Sequence, residues 1–168
     1  MQIRRLAAAD APAYRALRLR ALREHPDAFT SSYEEDVNHP LQVALGRLTA
    51  PSYAFWGAFQ GSELYGMVGL EHEGRAKNRH KGTVIAMYVA PEVTAHALGR
   101  ALLEALVTHA RGAGIASLVL TVTEGNAHAQ RLYAHAGFCS FGVEPDAIRV
   151  AGRSFAKNHM QLLLQPAP

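Results

Sequence analysis

The succession of strand, helix and strand across residues 83–123 constrains the fold of this chain more than any other stretch. Residues 83–89 form an apolar run of residues that suit strands, and Pro91 stops it. Residues 98–110 carry Leu98, Leu102, Ala105, Leu106 and His109 on one helical side, with Gly112 and Gly114 as the ending. Residues 117–123 read as a buried strand. A helix with one apolar side between two such strands belongs against a sheet, where that side leaves water.

The remaining chain supplies more of both elements. Residues 2–5 read as a short opening strand. Asp10 is placed to cap a helix with Pro12 in its first turn and an apolar stripe of Tyr14, Leu17 and Ala21. His25-Pro26-Asp27 ends that helix. Ser31 and Ser32, three residues before Glu34 and Glu35, offer a capping box twice over. After Pro40, the residues Leu41, Ala44, Leu45 and Leu48 restart a helical stripe. Residues 53–59 and 64–71 are strand-like and joined through the turn Gln60-Gly61-Ser62-Glu63, and polar residues 72–79 loop out. Residues 126–135 form a helix ended by Gly137. A strand over 138–143, a loop over 146–152 and a last strand over 154–164 complete the chain. No repeat, low-complexity tract or linker interrupts it. The expectation is one α+β domain over residues 1–168, a mixed central sheet flanked by helices.

Composition narrows the function. With 168 residues, 49% hydrophobic and 18% charged, the chain can bury a core and is not of the disordered class. It has no run of eighteen apolar residues, so no membrane partner is expected. The opening Met1-Gln2-Ile3-Arg4-Arg5 leads to Asp10 without a long apolar stretch, so no signal peptide is expected. The single Cys139 excludes an internal disulfide and fits a reducing, cytoplasmic setting. Net charge is +3, with basic residues dispersed and no basic stripe interleaved with aromatics. Nucleic acid is therefore not the expected partner, and a small polyanion fits the mild positive charge. His72-Glu73 lacks a second histidine at metalloprotease spacing, and His128 and His135 lie seven apart, so no metal site is expected. Cys139 has no identifiable base and is not expected to be a nucleophile.

Two segments carry the chemistry. From Tyr88 to Leu103 the chain passes from strand through a short loop into a helix. Helix-start amides lack internal partners and sit at the positive end of the dipole, so small residues there open a pyrophosphate site. Ala95, Ala97 and Gly99 are such residues. In the second segment, Asn126 is a natural N-cap, Ala129 lies one turn before Tyr133 and leaves room for a slender chain, and Gly137-Phe138 closes the helix.

The first segment resembles the donor loop of the GNAT family of acetyl-CoA-dependent N-acetyltransferases, Gln/Arg-x-x-Gly-x-Gly/Ala. Thr94 stands at the Gln/Arg position, Ala97 at the first Gly and Gly99 at the Gly/Ala position, so two of the three depart. The second is similar to the family's Asn-x-x-Ala-x-x-x-Tyr-x-x-x-Gly-Phe, matched by Asn126, Ala129, Tyr133, Gly137 and Phe138. The order of the two segments is also the family's.

The resemblance implies a GNAT fold and acetyl-CoA as donor to a primary amine of a small molecule or protein. It implies pantetheine contacts at Met87, Tyr88 and Val89 on the fourth strand. It implies a donor loop of Thr94, Ala95, His96, Ala97, Leu98, Gly99 and Arg100, with Arg100 in part replacing the missing charge. Asn126, Ala129 and Tyr133 complete the contacts, with Tyr133 as general acid. The fourth strand lacks the carboxylate many members carry. That leaves Glu71 and Glu73, then Glu34 and Glu35, or a water chain, as base. Residues 29–36 and 71–81 are expected to form the acceptor groove, where Glu34, Glu35 and Asp36 would attract a cationic amine. Family members commonly form homodimers. The departures in the loop also allow a second reading, a GNAT-fold module that binds CoA without efficient catalysis.

Overall fold

The computed structural model describes residues 1–93 and 95–164, with the side chains of Ala95 and His96 outside the description. Seven strands run β1 (Gln2–Arg5), β2 (Tyr53–Gln60), β3 (Glu63–His72), β4 (Lys81–Val89), β5 (Ser117–Thr123), β6 (Cys139–Val150) and β7 (Arg153–Leu163). Among the described residues five α-helices and a 3-10 turn over Ala8–Asp10 accompany them: α1 (Ala11–Glu24), α2 (Tyr33–Asp36), α3 (Leu41–Thr49), α4 (Ala95–Gly112) and α5 (Ala127–His135). The strands form one sheet in the order β1-β2-β3-β4-β5-β7-β6. Only β4 and β5 pair in parallel, across the α4 crossover; the other neighbours are antiparallel.

Both faces of the central strands are covered, so β2 reads as a nearly unbroken apolar run. Ala54, Trp56 and Ala58 join Val68, Leu70 and the α4 residues Leu98, Leu102 and Leu106 on one face. Phe55 and Phe59 join Met67, Tyr88 and the α1 stripe Tyr14, Leu17 and Ala21 on the other. Each fully buried leucine of α4 contributes about 1.5–3 kcal/mol relative to exposure. Gly69 makes the close packing possible. A Cβ there would lie 2.4 Å from Phe55 Cε1 and 2.9 Å from Ile85 Cγ1.

Several local expectations are corrected. Asp10 sits at the N-cap of α1, but its carboxylate caps nothing there and instead takes Arg4 Nη1 and the Ala7 amide, both at 2.8 Å. Only Ser32 forms a capping box, with Glu35; Ser31 Oγ accepts from Arg18 instead. In α3 only Ala44 is buried, and Leu41, Val43 and Leu45 are exposed. Residues 146–150, expected to loop, belong to β6. A register shift between Glu144 and Ile148 and a positive φ of 51° at Asp146 let the strand bend, while Asp146 accepts from Arg149 and Ser154. Such a bulged edge strand, exposed on both faces, leaves no apolar alternation to read.

Candidate functional site

The site begins where the sheet opens. Strands β4 and β5 are paired only through Lys81–Ser117, Gly82–Leu118 and Thr83–Val119, and beyond Thr83 they diverge. On its other side β4 carries a bulge. Met67 pairs with Tyr88 and Gly69 with Ile85, so three steps on β4 oppose two on β3. The extra residue falls where Ala86 takes a φ of 55°, a conformation a non-glycine residue adopts only at a cost. The bulge re-aims the following residues into the gap.

Two clefts meet there. One, of about 640 Å³, is lined by Met87, Tyr88, Val89, Gly99, Asn126, Ala129 and Tyr133. These are seven of the expected donor contacts, drawn from β4, α4 and α5. The other, of about 600 Å³, lies on the opposite side of the junction and includes Glu71, Thr83, Ile85 and Lys157. Ala28, Phe29, Met87, Thr121 and Tyr133 line both.

Tyr133 is 7% exposed and packs edge-on against Phe138, ring centroids 5.9 Å apart. Burial raises its pKa, so the phenol holds its proton at any ordinary pH. Among the described residues its hydroxyl has no hydrogen-bond partner. Asn126 caps α5 as the sequence implies, its Oδ1 accepting from the Ala129 amide at 3.1 Å. Gly137 ends that helix at a φ of 96°, and Phe138 is buried.

Tyr88 also belongs to the core. Its ring is buried among the α1 side of the core, and its hydroxyl donates to Glu24 Oε2 at 2.5 Å. Burial first, and Glu24 second, raise its pKa. Arg20 bridges Glu24 at 2.8 Å and Glu92 at 2.5 Å and 2.8 Å, fastening α1 to the segment leading into the donor loop. Arg20 holds the Glu92 carboxyl down near about 2.

Other expected residues stand apart from the cleft. Leu98 is in the core, and Ala97 is exposed. Arg100 pairs with Glu104 at 2.8 Å on the exposed side of α4 and is not among the described lining residues of either cleft. Thr94 and the side chains of Ala95 and His96 lie outside the described residues.

Of the candidate bases, Glu71 borders the second cleft and accepts from Tyr53 at 3.0 Å. Glu73 accepts from Asn78 at 3.1 Å, Glu35 is spent in its capping box, and Glu34 is exposed; none of these borders either cleft. Asp36, expected to draw a cationic amine, is held by Arg18 at 2.5 Å. Residues 29–31 and both ends of the 71–81 segment do contribute to the groove. Arg47, Tyr53, Thr121, Lys157 and His159 also line it, and sequence reasoning passed over them. Lys157, a lysine between strand residues and 4% exposed, was the one with a legible signal.

Among the described residues no three His, Cys, Asp or Glu side chains are grouped to hold a metal ion, and no helix is long and apolar enough to cross a membrane. The architecture recurs in solved structures. A putative acetyltransferase from Salmonella typhimurium, with its cofactor acetyl-CoA, superposes with a TM-score of 0.87 at 24% identity over 100% of this chain and 96% of that one. A GNAT-family acetyltransferase from Streptococcus pneumoniae gives 0.86 at 22% over 98% and 99%. A GNAT superfamily phosphinothricin acetyltransferase from Sinorhizobium meliloti, in complex with acetyl-CoA, gives 0.83 at 18% over 97% and 88%. No curated protein matches the sequence. The model of the acetyltransferase (GNAT) family matches residues 15–138, which span both sequence motifs, the splayed strands and Tyr133. On that match, the chain belongs to the acetyltransferase (GNAT) family.

Proposed function

We propose that this chain is an N-acetyltransferase that moves the acetyl group of acetyl-CoA to a primary amine by direct attack in a ternary complex. The observation that carries the reading is the meeting of two clefts at Met87 and Tyr133, beside a strand edge left open by the β4–β5 splay. The residues present suit the donor. The edge of β4 beyond Thr83 can pair with an extended amide-bearing chain, and Ala129 leaves space beside it.

Bound acetyl-CoA supplies an activated acetyl thioester. Met87, Tyr88 and Val89 hold the pantetheine through backbone groups, and the first-turn amides of α4 take the pyrophosphate. An amide at the bulge hydrogen-bonds the acyl oxygen as negative charge develops there. Glu71, through water, receives the proton the amine loses, and Tyr133 protonates the departing sulfur. The high pKa of the buried phenol keeps that proton in place until the charge appears.

Calorimetric titration with acetyl-CoA, followed by a free-thiol assay across a panel of amines, tests the reading. Micromolar binding with amine-dependent thiol release supports it. Binding without turnover of any amine favours the CoA-binding module. No binding at millimolar cofactor sinks both.

A further inference from the structure

The acceptor side of the site is basic. Arg18, Arg47, Lys81 and Lys157 border it, against the single carboxylate of Glu71. Two of the cations are matched within the protein. Arg18 donates to Asp36 at 2.5 Å and to Ser31 at 3.0 Å. Lys157 donates to Thr123 Oγ1 at 2.9 Å and to the Ala28 carbonyl at 3.3 Å. Arg47 and Lys81 are half-buried, and among the described residues neither is ion-paired with a carboxylate. The buried Tyr14 hydroxyl lies beside Arg47 and favours the guanidinium's charge, but it is a neutral neighbour off ideal hydrogen-bond geometry. These cations do not serve the donor, whose cleft has no lysine or arginine among its described lining residues.

A guanidinium drawn partly out of water without an anionic partner is an unmet demand. Its planar fork fits a carboxylate bidentately. An alkylamine alone would bring one more cation into a cleft already rich in them. An amine that carries its own anion would not. The surrounding cations also favour the uncharged form of its nitrogen, which is the form that attacks.

We infer that the acceptor is a small amine that also bears an anionic group, a carboxylate in the simplest case. Arg47 receives the anion while the amine faces Met87 and Tyr133. This rests on the acetyltransferase reading and narrows it from amines in general to amino acids and their like. It also reverses the expectation that Glu34, Glu35 and Asp36 select a cationic substrate.

The test compares free amino acids with their α-carboxamides and with short C-terminally amidated peptides whose side chains are uncharged, using acetyl-CoA and thiol release. The variants are Arg47→Gln and, as a control remote from the site, Arg111→Gln. The acids are expected to exceed the amides by about 10–100-fold in kcat/KM, the size of a charge-assisted pair. Arg47→Gln removes that preference chiefly through KM, and Arg111→Gln keeps it. Amides or peptides acetylated as well as acids, or a preference that survives Arg47→Gln, would overturn the inference. The same acid–amide comparison is made by calorimetry on protein with and without CoA, so it decides even where turnover is absent. There, an acid preference lost in Arg47→Gln supports the inference, and equal or absent binding overturns it. Failure of acetyl-CoA itself to bind speaks against the acetyltransferase reading instead.

Discussion

Replacing Tyr133 by Phe separates chemistry from packing unusually well in this molecule. The ring sits in the core against Phe138, and phenylalanine fills the same space. The hydroxyl has no partner among the described residues, so removing it forfeits no internal hydrogen bond. Stability should stay within about 0.5 kcal/mol of wild type in urea unfolding, since no internal hydrogen bond is lost and the ring still fills its space. A positioned general acid contributes about 10²–10⁴-fold. Tyr133→Phe should therefore lower kcat by that factor, about 2.7–5.4 kcal/mol of barrier at 1.36 kcal/mol per decade. Affinity for acetyl-CoA by calorimetry should hardly change. Tyr88→Phe is the useful contrast. It breaks a bond to the Glu24 carboxylate, worth about 1 kcal/mol after allowing for the exposure of that carboxylate. There stability falls, with no such loss of rate. A wild-type kcat for Tyr133→Phe, with the same acceptor and saturating donor, would refute the assignment of the acid.

Gly69→Ala forces a methyl to within 2.4 Å of the Phe55 ring, and overpacking of this kind costs about 1–3 kcal/mol. A thermal midpoint equal to wild type would show that the β3–β4 layer yields more easily than its packing implies. The His109 ring packs on Trp56 at 5.2 Å, and burial, then Arg5 and His72, lower its pKa. The folded state thus binds that proton less readily than the unfolded chain, so stability falls as pH drops below about 6.5. Urea midpoints at pH 7.5 and 5.5 should differ less in His109→Gln than in wild type; an equal difference would show that other groups carry the acid sensitivity.

Legibility in the sequence followed locality. Residues 117–123 and the Asn126–Phe138 motif were readable because a cap, an i,i+4 neighbour and a terminating glycine act within a few residues of one another. The helix starts at Ala95, three residues before its apolar stripe, because Ala95-His96-Ala97 holds no large apolar residue from which a periodicity could be read. Ala86 gave no warning of its positive φ, because alanine carries no preference for it; the bulge is imposed by pairing with β3. Arg47 and Lys157 lie 110 residues apart in sequence, on α3 and β7, and only the sheet order brings them to one cleft. Charges were misjudged for the same reason. The Glu34–Asp36 run looked available until α2 and Arg18 consumed two of its three carboxylates.

The three rungs that join β4 to β5 also set how the molecule divides when it loosens. Strands β1–β4 form one wing and β5–β7 the other, zipped together at a single end and spanned by α4. The open end of that V is where the sheet flexes at least cost, and an extended ligand wedged into it acts as a splint. Without one, the two wings open as separate cooperative units, each with its own amide-exchange rate. With one, the ladder runs across the seam, and protection on both sides rises together with ligand concentration.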